Sequence, residues 1–204
     1  MTVTIALIAL NALISWQAFS NHAMLDKLKH YPYIESHRHE WVRMLTGTFV
    51  HGDIAHLLFN MYALYGFGTQ VEYTYMDVFG NVQGRIFYLL MYLLSGCLAN
   101  LMTYFANKEN PSFASVGASG AVSAVMFAFV IFYPWQKFLL FYIIPIPGII
   151  ATVLYLIYSS YAARQGKGII DHRAHFWGAV FGFLITIILK PSLFGYFINE
   201  VLHK

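Results

Sequence analysis

Charge is what this sequence has least of. Only 10% of its 204 residues are Asp, Glu, Lys or Arg, where an ordinary soluble domain carries roughly 25%. Nine acids and twelve bases cannot clothe the surface of a soluble protein of this size. A secreted or cytosolic globular protein, a disordered tail and a nucleic-acid binder are excluded on that ground. The formal net charge of +3 reflects a shortage of both signs, not a basic patch. Cysteine occurs once, at Cys97, so no internal disulfide forms and thiols say nothing about compartment. Repeats, low-complexity tracts and domain linkers are also missing, and residues 1–204 read as a single domain. What is plentiful is apolar surface, with 59% hydrophobic and 18% aromatic residues. That composition describes an integral membrane protein with aromatic side chains to spare for interfacial belts.

Stretches free of charge mark the spans. They cover residues 2–19, 54–71, 86–107, 110–136, 148–163 and 174–189, which predicts an all-α, six-helix membrane bundle. Pro134 is a natural stop for the fourth, and Lys190-Pro191 closes the sixth. Pro145-Ile146-Pro147-Gly148 interrupts the run before the fifth, so residues 135–147 are expected to form an interfacial connector. Several spans fall short of the ~20 residues that cross a bilayer comfortably. Local thinning, or helices that stop below the surface, would accommodate them. The first stretch has no basic start and no small-residue cleavage site, and is expected to be a retained helix, not a signal peptide. The long connection after it carries Lys27, Lys29, Arg38, Arg43 and Trp41 and is expected to lie as a structured loop in the interface. With six spans the termini share a side. That side holds Arg85, Lys137, Lys190 and Lys204 against eight basic residues opposite, so the positive-inside rule puts the termini outside.

Polar residues inside such spans are candidates for function. His56, Asn60, Ser119 and His175 stand out, each near the N-terminal end of an even-numbered helix. Even helices run the same way, so the four converge at one depth below one surface. Ser119 lies in Gly117-Ala118-Ser119-Gly120 at the start of helix four. Glycines permit unusual dihedrals there, and free N–H groups at a helix start stabilise developing negative charge. Alone, this reads first as a small-residue packing motif. His175 opens helix six, followed by Gly178 and Gly182 four apart, a face that lets helix backbones approach closely. If that face meets helix four, the imidazole reaches Ser119, takes its proton and later returns it to a leaving amine. His56 and Asn60, four apart on one helix face, offer two donors to one oxygen, as an oxyanion hole requires. The plain alternative is a polar pair tying helix two to its neighbours. Asp171 would touch His175 only if helix six starts early, so a Ser–His dyad is the economical reading; His172 is expected in the loop above the membrane.

Other intramembrane chemistries fail on inventory. His39-Glu40 is followed by Trp41-Val42-Arg43, without the second histidine of a zinc protease helix. Asp26, Asp53, Asp77 and Asp171 all read as loop or boundary residues, which excludes an aspartyl protease. The nine histidines scatter over five segments. No metal and no cofactor is expected.

Trp41-Val42-Arg43 in the first loop, His56-Leu57-Leu58-Phe59-Asn60 in helix two, Glu72 at its far end, Gly117-Ala118-Ser119-Gly120, and Ala174-His175 with Gly178 and Gly182 together resemble the rhomboid intramembrane serine proteases of the bacterial six-helix type. The resemblance covers essentially the whole chain. It implies a single rhomboid-type membrane domain, with Ser119 as nucleophile and His175 as general base and acid. It further implies an oxyanion hole of His56, Asn60 and the Ser119 backbone N–H, a nucleophile loop shaped by Gly117, and structural roles for Trp41, Arg43 and Glu72. The implied substrates are single-span membrane proteins, cut near the membrane boundary where small or helix-breaking residues let the backbone unwind. A helix hides its peptide bonds in its own hydrogen bonds, so local unwinding must precede cleavage. The implied location is the bacterial inner (cytoplasmic) membrane with cytoplasmic termini, against the charge count.

The chain departs from the family at one position. Many members carry an aromatic residue four places after the nucleophile, stacked on the catalytic histidine; here that place is Ser123. Either another aromatic orients the histidine or it is held less firmly. The short fifth helix, poorly anchored at its connector end, is expected to move sideways to admit substrate. Two other readings stand beside the protease: a non-catalytic rhomboid-like binder of membrane helices, and a small transporter. The latter lacks its usual repeated halves and mid-membrane broken helices. Nothing in the residues specifies an oligomeric state.

Overall fold

The computed structural model describes residues 2–140, 144–165 and 171–203. Helix α1, Val3–Ser20, starts at Thr2, whose side chain accepts from the Ile5 amide. Its buried residues are Thr4, Leu7, Asn11, Ser15 and Ala18, spaced three or four apart, while Leu13 and Trp16 face outward. Apart from Leu7, the inward residues are small or polar while large apolar ones face out, as a lipid-facing helix requires. Short helices α2 (His22–Leu28), α3 (Pro32–Arg38) and α4 (Arg43–Thr46) with a 3-10 turn at Gly47–Phe49 build the first loop. It is structured, as expected. Arg43 donates to Glu40 Oε2 at 2.6 Å and to the Asp26 carbonyl at 2.6 Å, closing the end of α2. The expected role of Arg43 in holding this loop rests on those bonds. Trp41 sets its ring edge-on against Tyr104, 5.2 Å between centroids. Asn100 Nδ2 donates to the Met44 carbonyl at 2.7 Å, fastening the loop to the third span.

The second span is α5 (Ile54–Ala63), a π turn at Leu64–Gly68 and α6 (Thr69–Phe79), with no break in the helical path. It runs eight residues beyond the expected end at 71. Glu72 did not stop it, because the carboxylate is fully buried against the start of α1. Val3 and Thr4 donate their amides to it at 2.8 Å each, and Thr4 Oγ1 donates at 2.8 Å. The carboxylate thereby satisfies donors that a helix start leaves free.

Helix α7, Asn81–Asn107, is the third span. Helix α8, Ser119–Phe132, is central and almost entirely buried, at only 14 residues. The expected fourth span began at 110; in fact residues 108–118 form a loop. Pro111 lacks an amide hydrogen, and Gly117 adopts φ +119, which no helix accommodates. Amides that a helix would have paired internally instead meet the first loop: Ser115 N–H donates to the His30 carbonyl at 2.9 Å and Gly117 N–H to that of Gly47 at 3.0 Å. Helix α8 therefore starts at the nucleophile candidate itself.

The expected connector 135–147 is a small antiparallel hairpin, β1 (Lys137–Leu140) and β2 (Ile144–Pro147), with Lys137 opposite Pro147. Its residues 141–143 lie outside the described ones. Prolines disfavour helix, and β2 occupies an edge where the missing amide costs no ladder bond. Helix α9, Gly148–Gln165, and helix α10, His172–Leu189, are the fifth and sixth spans. Of the basic residues in the charge count, Lys167 and Lys204 lie outside the described residues. A further helix, α11 (Ser192–Leu202), follows the proline expected to end the bundle. It docks through buried Leu193 and through Trp135 Nε1–H on the Glu200 carbonyl at 2.8 Å. Among the described residues, α1, α7 and α10 are long and apolar enough to cross a membrane, while α8 and most of α9 are shorter apolar helices. The protein is an all-α membrane bundle apart from this one short hairpin.

Candidate active site

Helix packing decides where the polar residues go. A methyl on Gly178 would land on the Gly120 carbonyl, and one on Gly182 on the Ala124 carbonyl. The glycine face of α10 thus lies directly on α8, the partner that the spacing alone left open. This contact brings the first turns of the two helices together: a methyl on Gly120 would stand 3.4 Å from the Ala174 carbonyl. Ser119, partly exposed, is the first residue of α8, so the helix leaves its backbone N–H free. His175 is the fourth residue of α10.

The second span supplies the third wall. Asp53 caps α5 by accepting the His56 amide at 2.8 Å. The His56 ring then lies on Gly117: a methyl there would stand 2.6 Å from Cε1 and 2.8 Å from Nε2. Gly117 is needed twice, for its positive φ and for the space its hydrogen leaves. Asn60, one turn on and buried, donates Nδ2 to the His56 carbonyl at 3.0 Å. Its second Nδ2 hydrogen is left for another acceptor.

No hydrogen bond joins Ser119 to His175. The Nε2 atom of His175 is buried without a partner. Asp171 does not complete a triad. Its carboxylate accepts the Ala174 amide at 3.0 Å, capping α10, and the Ser115 hydroxyl at 3.3 Å. His172, expected in the loop, is the first residue of α10 and sets its ring edge-on to His175 at 5.5 Å. Asp171 is a sufficient cap to start the helix there.

Two residues at the site escaped sequence reasoning. One is His51, in the loop before α5. Its Nε2 accepts the Ala118 amide at 3.3 Å, and its Nδ1–H donates to Ser15 Oγ at 2.9 Å, which itself donates to the Phe49 carbonyl. A loop histidine five places before His56 was the available signal, but its partners lie on α1 and at 118. The other is Tyr155 of α9. Its ring stacks on His175, with centroids 6.1 Å apart and planes 17° apart, and its hydroxyl bonds Ser123 Oγ at 2.6 Å. No local pattern marks it.

Burial pushes the His51 imidazole down to about 3; the neighbouring His56 ring adds to this and Asp53 opposes it. Above the unfolded value of 6.5, His51 is neutral folded and unfolded. Below it, the unfolded chain gains a proton that the folded chain refuses, so stability falls as pH drops toward 3. By pH 5 the loss is about 2 kcal/mol. Unfolding in detergent should therefore be easier at pH 5 than at pH 7.5, and His51→Gln should shrink that difference. An equal difference in the variant would show that His51 is not responsible.

The rhomboid domain family model matches residues 38–192, about three quarters of the chain. RHOMBOID-like protein 12, mitochondrial, of Arabidopsis thaliana is 25% identical over 160 residues, 75% of this chain and 48% of that protein. Presenilin-associated rhomboid-like protein, mitochondrial, of Rattus norvegicus is 28% identical over 142 residues, covering 68% and 36%. Rhomboid protein 1, mitochondrial, of Saccharomyces cerevisiae is 25% identical over 197 residues, covering 93% and 49%. The chain spans between about a third and a half of the length of these relatives. A glycine-faced sixth span laid on a short central helix, and a family match running through both, lead to one conclusion: the chain belongs to the rhomboid family of integral membrane proteins.

Proposed function

We propose that this protein is an intramembrane serine endopeptidase that cuts single-span membrane proteins near the membrane boundary through a Ser119–His175 dyad. The observation that carries the reading is the convergence of three helix starts: Ser119 on α8, His56 on α5 over Gly117, and His175 on α10 where its glycine face meets α8. His175 takes the Ser119 hydroxyl proton as Oγ attacks the scissile carbonyl. The resulting oxyanion is met by the Ser119 N–H, Asn60 Nδ2 and His56. His175 hands the proton to the leaving amine. Water, activated by the same imidazole, then releases the acyl group and regenerates Ser119. The open Ser119–His175 bond is compatible with this, since such bonds commonly tighten only when substrate is bound.

Helix α9 is proposed to swing aside to admit the substrate helix. A crosslink between α5 and α9 should block cleavage of a transmembrane substrate. For orientation we propose cytoplasmic termini, with the site opening outward. Arg43 and Lys29, two residues of the opposing charge bias, are already engaged by Glu40 and Asp26 in a folded loop. The mitochondrial names of the relatives lend no support to a bacterial inner membrane as the location; the location is therefore proposed only as a multi-pass position in a membrane.

The test is covalent labelling of the detergent-solubilised chain with a fluorophosphonate. Labelling is expected in the unaltered protein and absent in Ser119→Ala. Equal labelling of both would remove the nucleophile; no labelling of the unaltered protein would leave a membrane-helix binder.

A further inference from the structure

Tyr155 is the one aromatic ring from α9 that reaches His175 among the described residues. Both ends of this side chain are occupied. The ring lies nearly parallel to the imidazole, at a separation typical of offset stacking. The hydroxyl points the other way, to α8. There Ser123 Oγ spends its hydrogen on the Ser119 carbonyl at 2.7 Å, so Tyr155 O–H must be the donor in its 2.6 Å bond to Ser123. One side chain therefore touches the imidazole directly and the nucleophile residue through a single serine. Ser123 is buried and too small to reach the imidazole itself.

His175 has little else to hold it. Its Nε2 lacks a hydrogen-bond partner, and Asp171 is spent on the helix cap and Ser115. Its other ring neighbour, His172, meets it edge-on and lies on its own helix. Helix α9 in turn presents Ile150, Val153, Leu154, Ile157 and Tyr161 outward, so it lies at the periphery of the bundle. We infer that Tyr155 is the positioning residue for His175, orienting the base from the fifth span, so that the proposed displacement of α9 releases the imidazole's stack and the Ser119 tie together. This rests on the protease reading and deepens it: admission of substrate and alignment of the base are governed by one residue.

The test uses the full-length chain in detergent, a fluorophosphonate, and a synthetic single-span peptide with a Gly-Ala pair near its end. Tyr155→Leu is expected to lower the labelling rate at Ser119, and kcat for the peptide, by about tenfold, with KM changed by less than about twofold. Tyr155→Phe keeps the ring and loses the tie, and is expected to fall about threefold. Adding Ser123→Phe to Tyr155→Ala supplies a ring from α8 and should recover most of the rate, which a merely structural role would not allow. Nuclear magnetic resonance of histidine-labelled Ser119→Ala should show the His175 ring signals moving on Tyr155→Leu, even if that variant loses activity by misfolding elsewhere. Rates for Tyr155→Leu equal to the unaltered chain, or unmoved His175 signals, overturn the inference. A chain that never reacts at Ser119 takes the protease reading down with it; a reactive chain indifferent to Tyr155 takes down this inference alone.

Discussion

Replacing His175 by phenylalanine should lower kcat/KM by about 10²- to 10⁴-fold, the range for losing a general base, without loss of stability. The two halves have separate causes. Activity falls because the proposed dyad relies on His175 as its one base: Asp171 is turned to its cap, and the His56 ring lies on Gly117. Stability holds because the imidazole contributes no hydrogen bond through Nε2, an atom that is buried and unpartnered. Leaving such an atom unsatisfied costs about 1–3 kcal/mol. Phenylalanine removes that cost and keeps a ring against Tyr155. The unfolding midpoint in detergent should therefore match or exceed that of the unaltered chain. A variant that loses activity together with several degrees of midpoint would mean that the histidine holds the fold. Sites kept for chemistry at the expense of stability behave in the first way.

Gly178→Val should be the most damaging single change to the fold, at about 3 kcal/mol or more. The atom a new side chain meets is the Gly120 carbonyl, which belongs to backbone and cannot rotate away. Helix α10 must then lift off α8, which separates His175 from Ser119 as well as opening the core. Gly195 provides the contrast. It lies in α11 with nothing within 4 Å of an added methyl, so Gly195→Ala should be neutral or stabilise by up to about 1 kcal/mol through helix propensity alone. Unfolding curves of the two variants separate the mechanisms: if both glycines behave alike, the close approach of α8 and α10 is not what Gly178 provides.

The parts of this site that were legible in the sequence share a property. Ser119, His175, His56 and Asn60 are polar residues in apolar helices, and helix parity puts them at one end. Gly178 and Gly182 announce a contact face by spacing alone. What was not legible depends on pairing across the chain. His51 is separated from Ala118 by 67 residues and Tyr155 from Ser123 by 32, and no periodicity connects them. The start of α8 was misplaced because a run of uncharged residues does not distinguish a helix from a loop whose amides are taken by another loop. Helix α11 was missed because Pro191 reads equally as a terminator and as the first turn of a new helix.

The carboxylate that receives the amides of Val3 and Thr4 has a bearing on how the chain is made. Sixty-odd residues separate donor from acceptor, so the leading end of the first span is synthesised long before its anionic cap exists. Until residue 72 emerges, that end must keep its donors in water or headgroups. Insertion of the opening segment and its locking into the bundle are thus two events, and the second waits on translation of the second span.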